Sequence, residues 1–234
     1  MTWFRTVFIV SCTLLSVAAA ERGGRPAAAA EPPLDAVLAR LDQAAINFKG
    51  LTADIRKIAH TDVVNVDDVD SGTIVVKRLK PHDIRIRIEL TNPQQIVTVG
   101  GGKIQAFKPK TNEAQEVDLG KSRGVVDQFM LLGFGSNSAE LKNAYTVTLG
   151  GAESINGEKT TRIILVPKDR EVLAHVKKCE LWISDKGWTV QQKFHTGGGD
   201  YVLSTYSCMK LNPTIADKDL KLELPRGVKF GKLK

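Results

Sequence analysis

The chain reads as an α+β fold: one curled antiparallel sheet of about eleven strands forms an unclosed barrel, a half-barrel, covered by about three short helices. Three observations carry this reading. Apolar residues recur with period two through most of the chain after Gly50. Glycine and Asn-Gly sites punctuate those stretches at hairpin spacing. Helical periodicity is confined to an opening segment and a central one. The 234 residues are 42% hydrophobic, 25% charged and 6% aromatic, which excludes collagen-like, low-complexity and wholly disordered chains. Three cysteines are too few for a disulfide-built scaffold.

Residues 1–20 read as a secretory signal: Arg5 supplies a charged start, Thr6 to Ala20 are almost wholly apolar, and Ala18-Ala19-Ala20 offer a small-residue cleavage site. Ile9-Val10-Ser11-Cys12 also has the look of a lipobox, although few apolar residues would precede that cleavage point. Residues 21–33 carry Gly, Ala, Pro and scattered charge and read as a disordered leader. Residues 34–234 are expected to form a single domain.

Leu34, Val37, Leu38, Leu41, Ala45 and Phe48 recur at helical spacing between Pro32-Pro33 and Gly50, an amphipathic helix with a proline start and a glycine stop. The clearest strand is Ile84 to Leu90, where Ile84, Ile86, Ile88 and Leu90 face one way and Arg85, Arg87 and Glu89 the other. Further strands are expected at about 51–61, 72–79, 94–99, 103–109, 113–118, 144–149, 159–166, 172–184, 188–196 and 200–211. Turns are expected at Asp70-Ser71-Gly72, Gly100-Gly101-Gly102, Asn156-Gly157, Asp185-Lys186-Gly187 and Gly197 to Asp200. Between the sheet segments, Val126, Phe129 and Met130 lie on one side of a helix over 123–132, and a second short helix starts at Ser136 or Ser138. The apolar face of such a sheet exceeds what a four-turn helix covers. It must therefore curl around an interior that is packed solid or left as a cavity for an apolar ligand.

Recognisable reaction chemistry is sparse. The four histidines sit in no zinc-binding spacing, and no nucleophile elbow occurs. Val99-Gly100-Gly101-Gly102-Lys103 lacks the spacer and the Ser/Thr of a phosphate loop and reads as a hairpin turn. The net charge of +7 and the cluster Lys77, Arg78, Lys80, Arg85 and Arg87 invite a nucleic-acid reading. The residues between these cations are core isoleucines rather than stacking aromatics, so a solvated sheet face is the better account, with anionic lipid surfaces as the other option. No cofactor, metal or nucleic acid is expected. The hairpin registers set Cys179 level with Leu203, five residues short of Cys208 with a strand between, so two free thiols are expected.

In order, these pieces resemble the LolA-type periplasmic carriers of outer-membrane lipoproteins. The likeness runs from about Leu34 to the C-terminus. It rests on the opening helix, Phe48-Lys49-Gly50 to Arg56, and Gly72-Thr73-Ile74-Val75-Val76-Lys77-Arg78, which is similar to the family's G-x-L-x-V-K-R-P. It continues through Asn92-Pro93, Gly102-Lys103 ahead of Phe107-Lys108-Pro109, Leu181-Trp182-Ile183-Ser184-Asp185 and Leu224-Pro225-Arg226-Gly227-Val228. Leu79 stands where the family has proline, and the cavity positions carry isoleucines where the family favours aromatics.

The resemblance implies a non-enzymatic, monomeric carrier in the periplasm of a Gram-negative-type envelope, shielding lipoprotein acyl chains in the half-barrel. Its donor would be an inner-membrane ABC-type lipoprotein-releasing complex and its acceptor an outer-membrane receptor. Ile74, Val76, Ile84, Ile86, Ile88 and Leu90 would line the cavity, and Val126, Phe129 and Met130 would belong to the lid. Arg78 would latch the lid through backbone carbonyls of the covering helices. The same fold also serves envelope sensors, so a domain that binds a protein segment or another lipid is the alternative.

Overall fold

The structure, a computed structural model, describes residues 32–80, 83–120 and 132–231. The signal segment, nearly all of the leader and the lid residues Val126, Phe129 and Met130 lie outside the described residues.

Helix α1 (Leu34–Ile46) begins after Pro33 and buries Val37, Leu38, Leu41, Ala44 and Ala45, the stripe its periodicity marks. It ends at Ile46 with Asn47 as its cap, short of Gly50, which opens the first strand instead. The strands follow as β1 (Gly50–Thr61), β2 (Val66–Lys80), β3 (Asp83–Thr91), β4 (Gln94–Gly100), β5 (Lys103–Lys108) and β6 (Glu113–Asp118). After α2 (Ser138–Ala144) come β7 (Tyr145–Ile155), β8 (Glu158–Pro167), α3 (Arg170–His175), β9 (Lys178–Ser184), β10 (Thr189–Gly197), β11 (Asp200–Leu211) and β12 (Lys229–Gly231).

All twelve belong to one sheet in the order β12-β6-β5-β4-β3-β2-β1-β11-β10-β9-β8-β7. Every neighbouring pair is antiparallel except β12 on β6. The two end strands, β12 and β7, are not paired with each other, so the sheet is an unclosed half-barrel.

Three local expectations are corrected. The segment 172–184 is not one strand: the Asp169 carboxylate accepts from the Glu171 and Val172 amides and caps α3 before β9 begins. Asp70-Ser71-Gly72 is not a turn but lies inside β2, and the chain reverses at a 3₁₀ turn, Asp62–Val64, followed by Asn65 in the left-handed region at φ 49°. Gly72 serves close approach instead, because a Cβ there would strike the Glu89 carbonyl of β3. The basic face of β2 and β3 is also not simply solvated. The segment after β11 crosses it: Lys77 donates to the Ile215 carbonyl and pairs with Asp217 at 2.7 Å, and Arg87 donates to the Lys221 carbonyl.

A bulge between Thr189 and Gln191 shifts the β9–β10 register by one residue, so Cys179 faces Phe194, which faces Val202, with β10 standing between the two cysteines. Cys179 is buried and Cys208 exposed, and both are free.

The inner face of the sheet divides into two cores. Val37, Leu38 and Leu41 of α1 and Leu141 of α2 pack on Ile163, Leu165, Leu181 and Ile183, filling the β7–β10 half. Asp42 ties the two helices together, accepting from the Ser138 amide and hydroxyl, both at 2.6 Å. The other half, over β1–β4 and β11, gathers Leu51, Ile55, Ile74, Val76, Ile84, Ile86, Leu90, Phe134 and Tyr206. Replacing Gly72 by alanine should force β2 and β3 apart, lowering stability by about 1–3 kcal/mol in chemical denaturation. An unchanged midpoint would mean that the strands do not approach this closely.

Candidate functional site

The described residues do not fill the second core. They bound a half-open cavity of about 370 Å³. Its aliphatic wall is Ile74 and Val76 from β2 with Ile86, Ile88 and Leu90 from β3. The pairings Ile74↔Ile88 and Val76↔Ile86 place these side chains directly opposite one another on the inner face. The structure thus brings five of the six expected lining residues to one cavity. Ile84 is not among its lining; it faces Arg78 across the β2–β3 pair and is buried in the adjoining core.

The rest of the wall was not singled out from the sequence. Ile55 of β1, Val97 of β4, and Phe194, Val202, Ser204 and Tyr206 of β10 and β11 also face the cavity. Val202, Ser204 and Tyr206 follow the period-two rule, and that alternation is the signal that could have found them. Ser204 and Gln192 lie beside Tyr206, and burial pushes its phenol well above the usual range. One wall is therefore wholly aliphatic and the other carries a few polar groups. Lys57, at the exposed margin, pairs loosely with Asp70 at 3.7 Å.

Phe134 reaches the cavity from the loop before α2 and packs edge-on against Tyr206, with ring centroids 4.9 Å apart. Two glycines seat that loop. A Cβ at Gly133 (φ 86°) would strike Thr189, and one at Gly135 (φ 103°) would strike the Arg78 guanidinium.

Arg78 shares the inward parity of Ile74 and Val76 and sits at the end of the aliphatic wall. Its Nη1 donates to the Ala45 carbonyl of α1 at 3.2 Å, and its Nη2 to the Gly135 carbonyl at 2.5 Å. The guanidinium carbon lies 5.3 Å from the centroid of the Phe48 ring. Burial lowers the Arg78 pKa, opposed by the charge of Glu140. Among the described residues Nε has no partner. One side chain thereby ties the helix, the Phe134 loop and the cavity wall together, its several rigid donors reaching two carbonyls at once.

Among the described residues no histidine lines the cavity. His60 bonds to Asp67 and His195 to Glu180, each at 2.7 Å on the outer face, His175 ends α3, and His82 lies outside the described residues. No three His, Cys, Asp or Glu side chains among the described residues converge as a metal site. No helix among them is long and apolar enough to cross a membrane.

An unclosed sheet with helices and a glycine-flanked loop on its inner face defines a half-barrel. No protein-family model and no curated protein matches the chain. Solved structures do. An uncharacterized conserved protein from Thermus thermophilus superposes with a TM-score of 0.50 at 10% identity, over 85% of this chain and 98% of its own. MucB superposes at 0.49 with 14% identity over 81% of this chain, which spans only 62% of MucB. A LolA superfamily protein from Nitrosomonas europaea gives 0.40 at 15% identity, covering 80% of this chain and 97% of its own. At these identities the likeness is one of fold.

Arg78→Leu should leave the Gly135 carbonyl without the guanidinium, and the Ala45 carbonyl with backbone donors alone, and so loosen the Phe134 loop. Fluorescence of a polarity-sensitive dye should then rise severalfold over the unmodified protein at equal concentration. Unchanged dye fluorescence would make Arg78 ordinary packing.

Proposed function

We propose that this protein is a non-enzymatic carrier that takes an acyl chain into the cavity and hands it on at a membrane acceptor. The observation that carries the reading is the incompletely filled aliphatic wall of Ile74, Val76, Ile86, Ile88 and Leu90 beneath a loop held by one arginine. Burial of each acyl methylene contributes about 0.8 kcal/mol, enough for a short stretch of chain to be retained without any charged contact. In this reading Phe134 and the acyl chain compete for one space, so an empty carrier closes on its own side chain. Handover is then the reverse exchange.

The finer reading follows the resemblance. The cargo is the lipid moiety of lipoproteins, the compartment is the periplasm, reached through the N-terminal signal, and the domain spans residues 34–234. An inner-membrane releasing complex loads the carrier and an outer-membrane receptor unloads it. The latch is Arg78, and the lid comprises the Phe134 loop with the segment carrying Val126, Phe129 and Met130.

Two variants test the cavity. Ile86→Asp places a carboxylate on the aliphatic wall and should weaken binding of a fluorescent fatty acid at least about tenfold. Because a buried charge also threatens folding, Val97→Trp offers a second route that fills the cavity with apolar volume. It should displace the fatty acid while the protein still melts cooperatively. Undiminished binding in a folded Val97→Trp protein would remove the cavity as the ligand site. Mass spectrometry of organic extracts of the purified protein would then separate lipid cargo from a bound protein segment.

A further inference from the structure

Beyond the cavity, the tip of the β1–β2 hairpin breaks the rule that turns are polar. Val63, Val64, Val66 and Val69 are 89%, 63%, 48% and 42% exposed. These are four of the eight large apolar side chains that stand exposed among the described residues, and they fall within one short stretch of chain.

The exposure is held in place. The Asp62 amide donates to the Asp200 carboxylate at 2.8 Å, bracing the tip on the β10–β11 turn, and Asn65 closes the 3₁₀ turn onto the Asp62 carbonyl at 3.0 Å. Just behind it, His60 bonds to Asp67 and stacks on Tyr201, with ring centroids 4.7 Å apart. Val63 and Val64 of the turn, with Val66 and Val69 on opposite faces of β2 behind them, are thus presented on a fixed scaffold, which lowers the ordering cost of docking them.

Their surroundings define the partner. Asp62, Asp67, Asp68 and Asp70 flank the valines on a chain whose net charge is +7. The cation nearest along the strand, Lys57, already faces Asp70. An anionic bilayer would repel this rim. A second copy docked two-fold through the same patch would set the aspartates against one another. A protein groove with an apolar floor and a lysine or arginine rim satisfies both features.

We infer that the β1–β2 tip is a docking element for a protein partner with a cation-rimmed apolar groove. The inference rests on the carrier reading for its purpose. Lys57 stands at the cavity margin, and three further strand residues, about 10 Å, lead from it to His60 at the base of the tip. The tip is therefore carried by the same strand that supplies the cavity margin.

The probe is a fluorescent amphipathic peptide of leucine and lysine, titrated into the full chain and followed by anisotropy. The proposal expects saturable binding, weakened about tenfold in Val63→Ser/Val64→Ser/Val66→Ser and comparably by Asp68→Lys or by about 0.5 M salt. These side chains are exposed, so both variants should melt with the parent and bind fluorescent fatty acid as it does. Peptide affinity indifferent to the valine substitutions would overturn the inference. So would valine-dependent sedimentation with phosphatidylglycerol vesicles, or a dimer in light scattering that the serine variant disperses. Fatty-acid binding separates the two readings: its absence in the unmodified protein sinks the carrier, whereas its presence with tip-independent peptide binding sinks only the docking element.

Discussion

Everything in this molecule follows from a mismatch between a wide dry surface and a short cover. Twelve strands at about 4.8 Å spacing make a sheet more than 50 Å across. Helix α1, with 13 residues, is about 20 Å long. It cannot cover the inner face, so it does what a helix of that length can do and packs on part of it. The β7–β10 half receives Val37, Leu38 and Leu41 and becomes solid. Among the described residues the β1–β4 half is left to its own isoleucines and to one loop, and isoleucines standing on a concave wall do not meet across it. The cavity is what remains when curling has relieved most, but not all, of the exposure.

How much of this is legible in the sequence depends on the range of the interaction that decides each feature. The alternation of Ile84 to Leu90 is local, and both the strand and its inward face are where the pattern puts them. The Asn137 cap of α2, with Glu140 returning the bond, is equally local. Features set by distant chain segments are not. Gly50 and Gly72 look like a helix stop and a turn until the Val76 and Glu89 carbonyls are seen against them. Ser204 interrupts an otherwise apolar alternation, and only its place beside Gln192 and Tyr206 explains a polar residue on that wall. Phe134 is one aromatic between two glycines; that it reaches the cavity depends on Thr189 and Arg78 lying beneath those glycines. The cations of β2 and β3 look solvent-bound because the segment that crosses them arrives more than a hundred residues later.

Arg78 shows how a half-buried cation can hold a loop through neutral acceptors. A guanidinium paired with a carboxylate in the interior would be costly to separate, about 3–5 kcal/mol when one partner is lost. Arg78 instead meets two neutral carbonyls and the face of Phe48. Hydrogen bonds from a charged donor contribute about 1.5–3 kcal/mol each, and its Nε, unpartnered among the described residues, takes some of that back. The net hold on the loop is then a few kcal/mol. That is comparable to burying about three to five methylenes. Under the carrier reading, a ligand slightly longer than that outcompetes closure, and a shorter one does not. The balance needs no other energy source to load the cavity. In that reading, a carboxylate placed beside the guanidinium in addition to the two carbonyls would raise the length of chain needed to open the loop.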